Sequence, residues 1–170
     1  ISYRATVNRT NDADFADGVR IVEGDQIATS DRAELRRAGD LLLLIRNARV
    51  VTPGYVVHAD TIARYEDIDE GEAWGHVILV EPDASSVVTG GHATFDRGGG
   101  SMTVDRGPKM ESREQGDDPL LATALRMHFL RDLDRIVMVD SVSIRQGTTL
   151  ALADTAQVFG RERMLLTGGP

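Results

Sequence analysis

The feature that most constrains this chain is a repeat of about 30 residues running through its whole length. Five stretches read alike: Ser30-Asp31-Arg32-Ala33, Ala59-Asp60-Thr61-Ile62, Gly90-Gly91-His92-Ala93, Thr123-Ala124-Leu125-Arg126 and Ala153-Asp154-Thr155-Ala156. With Asp31, Asp60, Gly90, Ala124 and Asp154 as one column, the intervals are 29, 30, 34 and 30 residues. Five positions later stand Arg36, Tyr65, Phe95, Phe129 and Phe159, aromatic in all but the first. Two columns carried at four similar intervals are hard to draw from the irregular turns of an ordinary all-β chain.

Roughly ten residues before the first column comes a short segment of alternating polarity: Gly18-Val19-Arg20-Ile21, Ala48-Arg49-Val50-Val51, His76-Val77-Ile78-Leu79 and Ser141-Val142-Ser143-Ile144. A period of two is that of a half-buried strand. Gly or Pro often separates the columns, as in Glu23-Gly24-Asp25, Thr52-Pro53-Gly54, Pro82-Asp83 and Gln146-Gly147. Polar turns follow the aromatic column at Asp69-Glu70-Gly71, 97–100, 131–134 and 160–162. The spacing predicts a unit of three short strands, with the 34-residue interval enlarged by a loop near Arg113 to Pro119. One segment competes with this pattern. Asp118-Pro119 followed by Leu121, Leu125 and Phe129 has the N-cap, first-turn proline and apolar stripe of a helix over 118–131. Its place in the repeat predicts strand, as does Ile136-Val137-Met138-Val139 next to it. Asp31 to Ala38 carries a weaker ambiguity of the same kind.

A short unit of strands cannot bury its apolar side alone, so neighbouring units must stack and share a core. The expectation is an all-β, single domain over 1–170, curled so that small aliphatics point inward. The chain is 41% hydrophobic but 5% aromatic. Its interior is therefore built from small and branched side chains, which leaves room for a groove. The stripes that alternate with polar neighbours supply the candidates for its lining: Val19, Ile21, Val77, Leu79, Met102, Ile136, Met138, Val142, Ile144 and Leu152. Leu41 with Leu43, Val104 and Leu150 read in the same way. The longest unbroken aliphatic run, Leu41 to Ile45, is far too short for a transmembrane helix. No signal peptide opens the chain, which starts at Ile1 and reads as a trimmed piece of something longer.

Charge and reactive residues narrow the chemistry. Nineteen basic against 27 acidic residues give a net charge of −8, a poor match to nucleic acid. Without Cys there is no disulfide, thiol catalysis or Cys-ligated zinc. His58, His76, His92 and His128 follow the repeat and form no metal-binding motif. Ser85-Ser86 and Ser141 lie in no nucleophile motif. The acidic stretch Glu66 to Glu72 lacks the length and spacing of a calcium loop, and reads as a solvated turn. Arg97-Gly98-Gly99-Gly100-Ser101 leads into a strand-like segment, so it reads as a hairpin turn and not a phosphate loop. A sugar hydrolase would need two carboxylates facing one cleft, which the repeated Asp31, Asp60 and Asp154 do not suggest. Neither a catalytic centre, a metal nor a cofactor is expected.

The pattern resembles the OstA-like domains of lipopolysaccharide transport. The closest matches are Asp17-Gly18-Val19-Arg20-Ile21 with Ser30-Asp31-Arg32-Ala33-Glu34-Leu35, and Ala153-Asp154-Thr155-Ala156-Gln157-Val158-Phe159 with Leu166-Thr167-Gly168-Gly169. The third and fourth units depart, with Gly90-Gly91-His92 and Thr123-Ala124-Leu125 in place of the Ala-Asp pair. The resemblance implies an open, twisted β-jelly roll in the periplasm that shelters lipopolysaccharide acyl chains between two sheets. It also implies end-to-end strand pairing with other such domains, for which the segments 2–7 and 163–167 are the strand-like ends. The alternative from another class is a repeat-built structural or adhesive module of the cell envelope that binds no lipid. The two differ in one feature: a carrier leaves a cleft between its sheets, whereas a structural module packs shut.

Overall fold

The computed structural model describes residues 4–7, 12–36, 40–65, 68, 70–80, 86–96, 100–113, 118–160 and 163–169, with the backbone alone at 4–7 and 132. Its strands are β1 (Arg4–Val7), β2 (Ala13–Ala16), β3 (Val19–Glu23), β4 (Gln26–Ser30), β5 (Arg32–Arg36), β6 (Leu41–Val51), β7 (Val56–Tyr65) and β8 (Glu70–Val80). They continue as β9 (Ser86–Asp96), β10 (Ser101–Asp105), β11 (Lys109–Ser112), β12 (Leu120–Thr123), β13 (Arg126–Leu130), β14 (Arg135–Gln146), β15 (Thr149–Phe159) and β16 (Arg163–Thr167). The one helical element among the described residues is a 3-10 turn at Arg131–Leu133. The helix-like segment 118–131 instead holds two strands, β12 and β13, as its position in the repeat requires, and ends at that turn. The pairs are antiparallel and join into one 16-stranded sheet.

That sheet is folded along a line into two leaves. Every second long strand, β6, β8 and β14, carries a bulge near its midpoint. Arg46 and Asn47 together oppose Asp60, because Ile45 pairs with Thr61 while Ala48 pairs with Ala59. Gly75 and His76 oppose Gly91 in the same way, and Asp140 and Ser141 oppose Asp154. Two residues against one bend the strand and shift its face. Asp17-Gly18, Arg46-Asn47, Gly75-His76, Arg106-Gly107 and Asp140-Ser141 all have positive φ. Backbone hydrogen bonds lace this corner: Gly18 N–H donates to the Asp31 carbonyl at 3.2 Å, Asp31 N–H to Arg46 at 3.0 Å, Gly91 N–H to Arg106 at 3.2 Å and Leu125 N–H to Asp140 at 2.9 Å. Side chains add to it, with Asn47 Nδ2 donating to Asp31 Oδ2 at 3.0 Å and His76 Nδ1 lying 2.8 Å from Asp60 Oδ2. At Gly75 (φ +72) the absence of a Cβ lets the Asp60 carboxylate lie against the bulge, where a side chain would have to push it aside.

The corner explains the repeat and corrects its register. The bend falls at Asp31, Asp60, Gly91, Leu125 and Asp154, one residue later in the third and fourth units than the sequence column places it. A unit is correspondingly two long bent strands, or their split equivalents, and not three short ones. The first leaf takes β1, β2, β5, β10, β13, β16 and one half of each of β6, β7, β8, β9, β14 and β15. The second leaf takes β3, β4, β11, β12 and the other halves. Inward positions one residue before the corner are small: Ser30, Ala59, Gly90, Ala124 and Ala153. The leaves are closest there. At Gly90 a Cβ would lie 2.5 Å from Val104 Cγ1. Two residues past the corner come Ala33, Ile62, Ala93, Met127 and Ala156, all buried. The enlarged loop near 113–119 and the turns at 97–99, 81–83 and 161–162 lie wholly or partly outside the described residues, as do Ser85 and the residues 66, 67 and 69 of the acidic stretch.

The bend requires left-handed backbone at non-glycine positions. Ser141 has φ +53. Ser141→Val should cost about 1–2 kcal/mol, whereas Ser141→Gly should leave stability within about 0.5 kcal/mol of the parent or raise it. Urea denaturation of the two variants checks this.

Candidate functional site: the mouth between the leaves

Away from the corner the leaves diverge toward an opposite edge, the mouth, where their hairpin tips face each other. Of the groove candidates, Val19, Val77, Leu79, Met102, Met138, Val142 and Ile144 are buried in the shared interior, and Ile21 and Ile136 pack against it half-buried. Leu152 does not belong with them. It lies on the outer face, 49% exposed, while Ala151 and Ala153 take the inward positions of β15. There the small residues face the narrow space beside the corner and the leucines face out, so apolarity misreports direction. Leu41 and Leu43 fail likewise: Leu42 and Leu44 are the buried pair. A run of five aliphatics has no alternation from which to read a face.

The register separates the aromatic column into two kinds of position. Four residues past the true corner lie Leu35, Arg64, Phe95, Phe129 and Val158, which point inward. Tyr65 and Phe159 stand five past it, on the outer face. Phe159 there lies under two guanidinium groups, Arg135 at 5.6 Å and Arg163 at 5.5 Å from its ring centroid.

Across the mouth, tips of the second leaf close over the first leaf one unit further on. Glu23 at the end of β3 accepts a hydrogen bond from Arg64 Nη2 of β7 at 2.6 Å. The next tip is the turn Thr52 to Tyr55, knit by the Thr52 hydroxyl, which accepts from Gly54 N–H at 3.3 Å and Tyr55 N–H at 3.1 Å. That turn aims Tyr55 at Phe95, with ring centroids 6.3 Å apart. Gly54 lies flat against the Arg131 guanidinium, which occupies the space a side chain would need. Burial raises the pKa of the Tyr55 phenol above its usual value; the Asp96 carboxylate also pushes it up, against Arg131 and Arg64. At the third position the closure is looser. A small pocket is lined by Leu79, Ser86, Val88 and Met110 of the second leaf and Phe129 and Ile136 of the first. Its lining is almost wholly apolar.

Sequence reasoning finds Leu79 and Ile136 of this pocket but misses Val88, Met110 and Phe129, as well as Tyr55, Arg64 and Glu23. The inward column four past the corner was the available signal, hidden by the one-residue register error. Among the described residues no group of three or more His, Asp or Glu is placed to hold a metal ion.

No protein-family model matches the chain, and no curated protein matches it. Its fold, however, is found among solved structures. It is similar to LptH of Pseudomonas aeruginosa, the LptA-homologous periplasmic component of the lipopolysaccharide transport device. The TM-score is 0.61 at 18% identity, over 68% of this chain and 82% of LptH. The all-β jelly-roll reading of the sequence is thereby met in a solved structure, as is its resemblance to a lipopolysaccharide-transport component.

The neutral phenol is the form that the folded mouth favours, so the stability it lends is present below the ordinary tyrosine value of 10.0 and is lost as pH rises through the folded one. Tyr55→Phe keeps the ring against Phe95 and removes the titration. Its melting temperature should fall less than that of the parent above pH 10, with the two curves parallel near neutrality.

Proposed function

We propose that this chain is a carrier of lipopolysaccharide or a related acyl-chain amphiphile, working in the periplasm as a link in its passage to the outer membrane. The observation that carries the reading is the apolar mouth, where Leu79, Val88 and Met110 face Phe129 and Ile136 across a gap between the leaves. Each methylene moved there from water gains about 0.8 kcal/mol. Aliphatic and Met walls can re-pack around a flexible chain more readily than rings can. The likeness of fold to LptH supports the same reading. Carriage of a full acyl chain requires the leaves to part, because most of the interior is already filled.

Neighbours would join end to end. Among the described residues β1 pairs with β2 alone and β16 with β15 alone, so each end of the first leaf has an unpaired edge there. The whole of β16 is exposed. Such edges are open to strand addition. The other reading, a structural envelope module, is favoured by one observation: the interior is close-packed beside the corner and the pocket holds only about 20 Å³.

A photo-crosslinking residue at Met110 and at Ile136, with Leu152 as the outward-facing control, separates these readings. A carrier gives lipopolysaccharide adducts at the first two sites and few at the third. Equal labelling at all three, or none at Met110 and Ile136, contradicts it. Val88→Trp, which fills the gap, should lower the adduct yield about tenfold, equivalent to about 1.4 kcal/mol of binding.

A further inference from the structure

One charged side chain is buried in the interior among the described residues, that of Arg64. It occupies the inward column four past the corner, where the other units place Leu35, Phe95, Phe129 and Val158. Its guanidinium crosses from the first leaf to the second and pairs with Glu23 at 2.6 Å. The two partners differ sharply in exposure: the Arg64 side chain is 6% exposed and that of Glu23 is 57%. Taking a guanidinium out of water costs several kcal/mol, and an apolar residue of similar volume often serves stability as well or better. The other four units make that apolar choice. Stability alone therefore gives no reason for an arginine here.

The geometry suits an exchange of anions. The cation is fixed inside the mouth, while its carboxylate partner stands on an exposed hairpin tip, Val22 to Asp25. A guanidinium binds a phosphate in the same bidentate manner as a carboxylate. On a chain of net charge −8, a buried cation at the apolar mouth is also a selective place for an anionic headgroup. We propose that Glu23 and Arg64 form a displaceable clasp. Arg64 is the site for the phosphate of an anionic amphiphile, Glu23 holds that site when it is empty, and its displacement releases the β3–β4 tip and opens the mouth over the first half of the roll. The proposal rests on the acyl-carrier reading and names the headgroup chemistry that reading leaves open.

Because the chain has no Cys, Asp25→Cys and Glu70→Cys can carry one nitroxide on each leaf. Double electron–electron resonance should give a short, narrow distance in the parent and a longer, broader one in Glu23→Gln. Dodecyl phosphate should shift the parent toward the Glu23→Gln distribution, and dodecyl maltoside should not. Arg64→Met, which restores the apolar choice of the other units, should melt at or above the parent temperature. It should bind dodecyl phosphate about tenfold more weakly and dodecyl maltoside unchanged. Superimposable distances in the parent and Glu23→Gln would overturn the clasp. An undiminished preference of Arg64→Met for the phosphate would overturn the headgroup site. If the parent binds neither detergent, the acyl-carrier reading and the headgroup site fall together, while the distance comparison still decides the clasp.

Discussion

Everything in this fold depends on a backbone bend made the same way in strand after strand. Two residues with positive φ on one strand face a single residue on the next, and the sheet turns a corner. The bend gives each strand two half-faces that both point into one interior. Without it, a sheet of this width would have one apolar face open to water along its length. The Asp residues of the corner belong to this machinery. Asp31 accepts from Asn47, Asp60 lies against His76, and Asp154 fills the space beside Gly168. They serve backbone geometry, which accounts for their repetition.

The wedge between the leaves then dictates side-chain size. Alanine, serine and glycine fill the narrow line beside the corner, and at Gly90 an added Cβ would press on Val104 of the opposite leaf. Larger side chains are accommodated further out, and at the mouth Tyr55, Phe95 and Phe129 close the gap. An interior graded in this way is rigid at its hinge and adjustable at its edge. In the carrier reading, a guest would enter at the mouth, where the closing residues differ from unit to unit. The first unit closes with an ion pair, the second with aromatic contact and the third with an apolar pocket.

The period, the all-β class and the strand character of 118–131 were legible in the sequence because each rests on local pattern reinforced five times. Inward direction was legible for Val19, Met102, Val142 and Ile144, where apolar and polar residues alternate. It was not legible where alternation fails. Leu41 to Ile45 offers no polar partner, and at Leu150-Ala151-Leu152-Ala153 the narrow interior prefers the smaller side chain. The mouth was hidden for a different reason. The corner resets the parity of the strands that carry this column, so an alignment displaced by a single residue in the third and fourth units sends Phe95 and Phe129 into the same column as the outward Tyr65 and Phe159. That displacement also kept Arg64 from standing out as the one charge in an apolar series.

The account makes the corner a fixed hinge and the mouth the part that yields to a guest. Residue-resolved amide hydrogen exchange, with and without lipopolysaccharide, tests this most directly. The hydrogen-bonded corner amides of Asp31, Gly91 and Leu125 should exchange only through global unfolding, at rates governed by the stability of the whole domain. The tip amides of Tyr55 and Ser86 should exchange faster and change on addition of lipopolysaccharide. Corner amides that exchange as fast as the tips, or tips indifferent to lipopolysaccharide, would contradict the account.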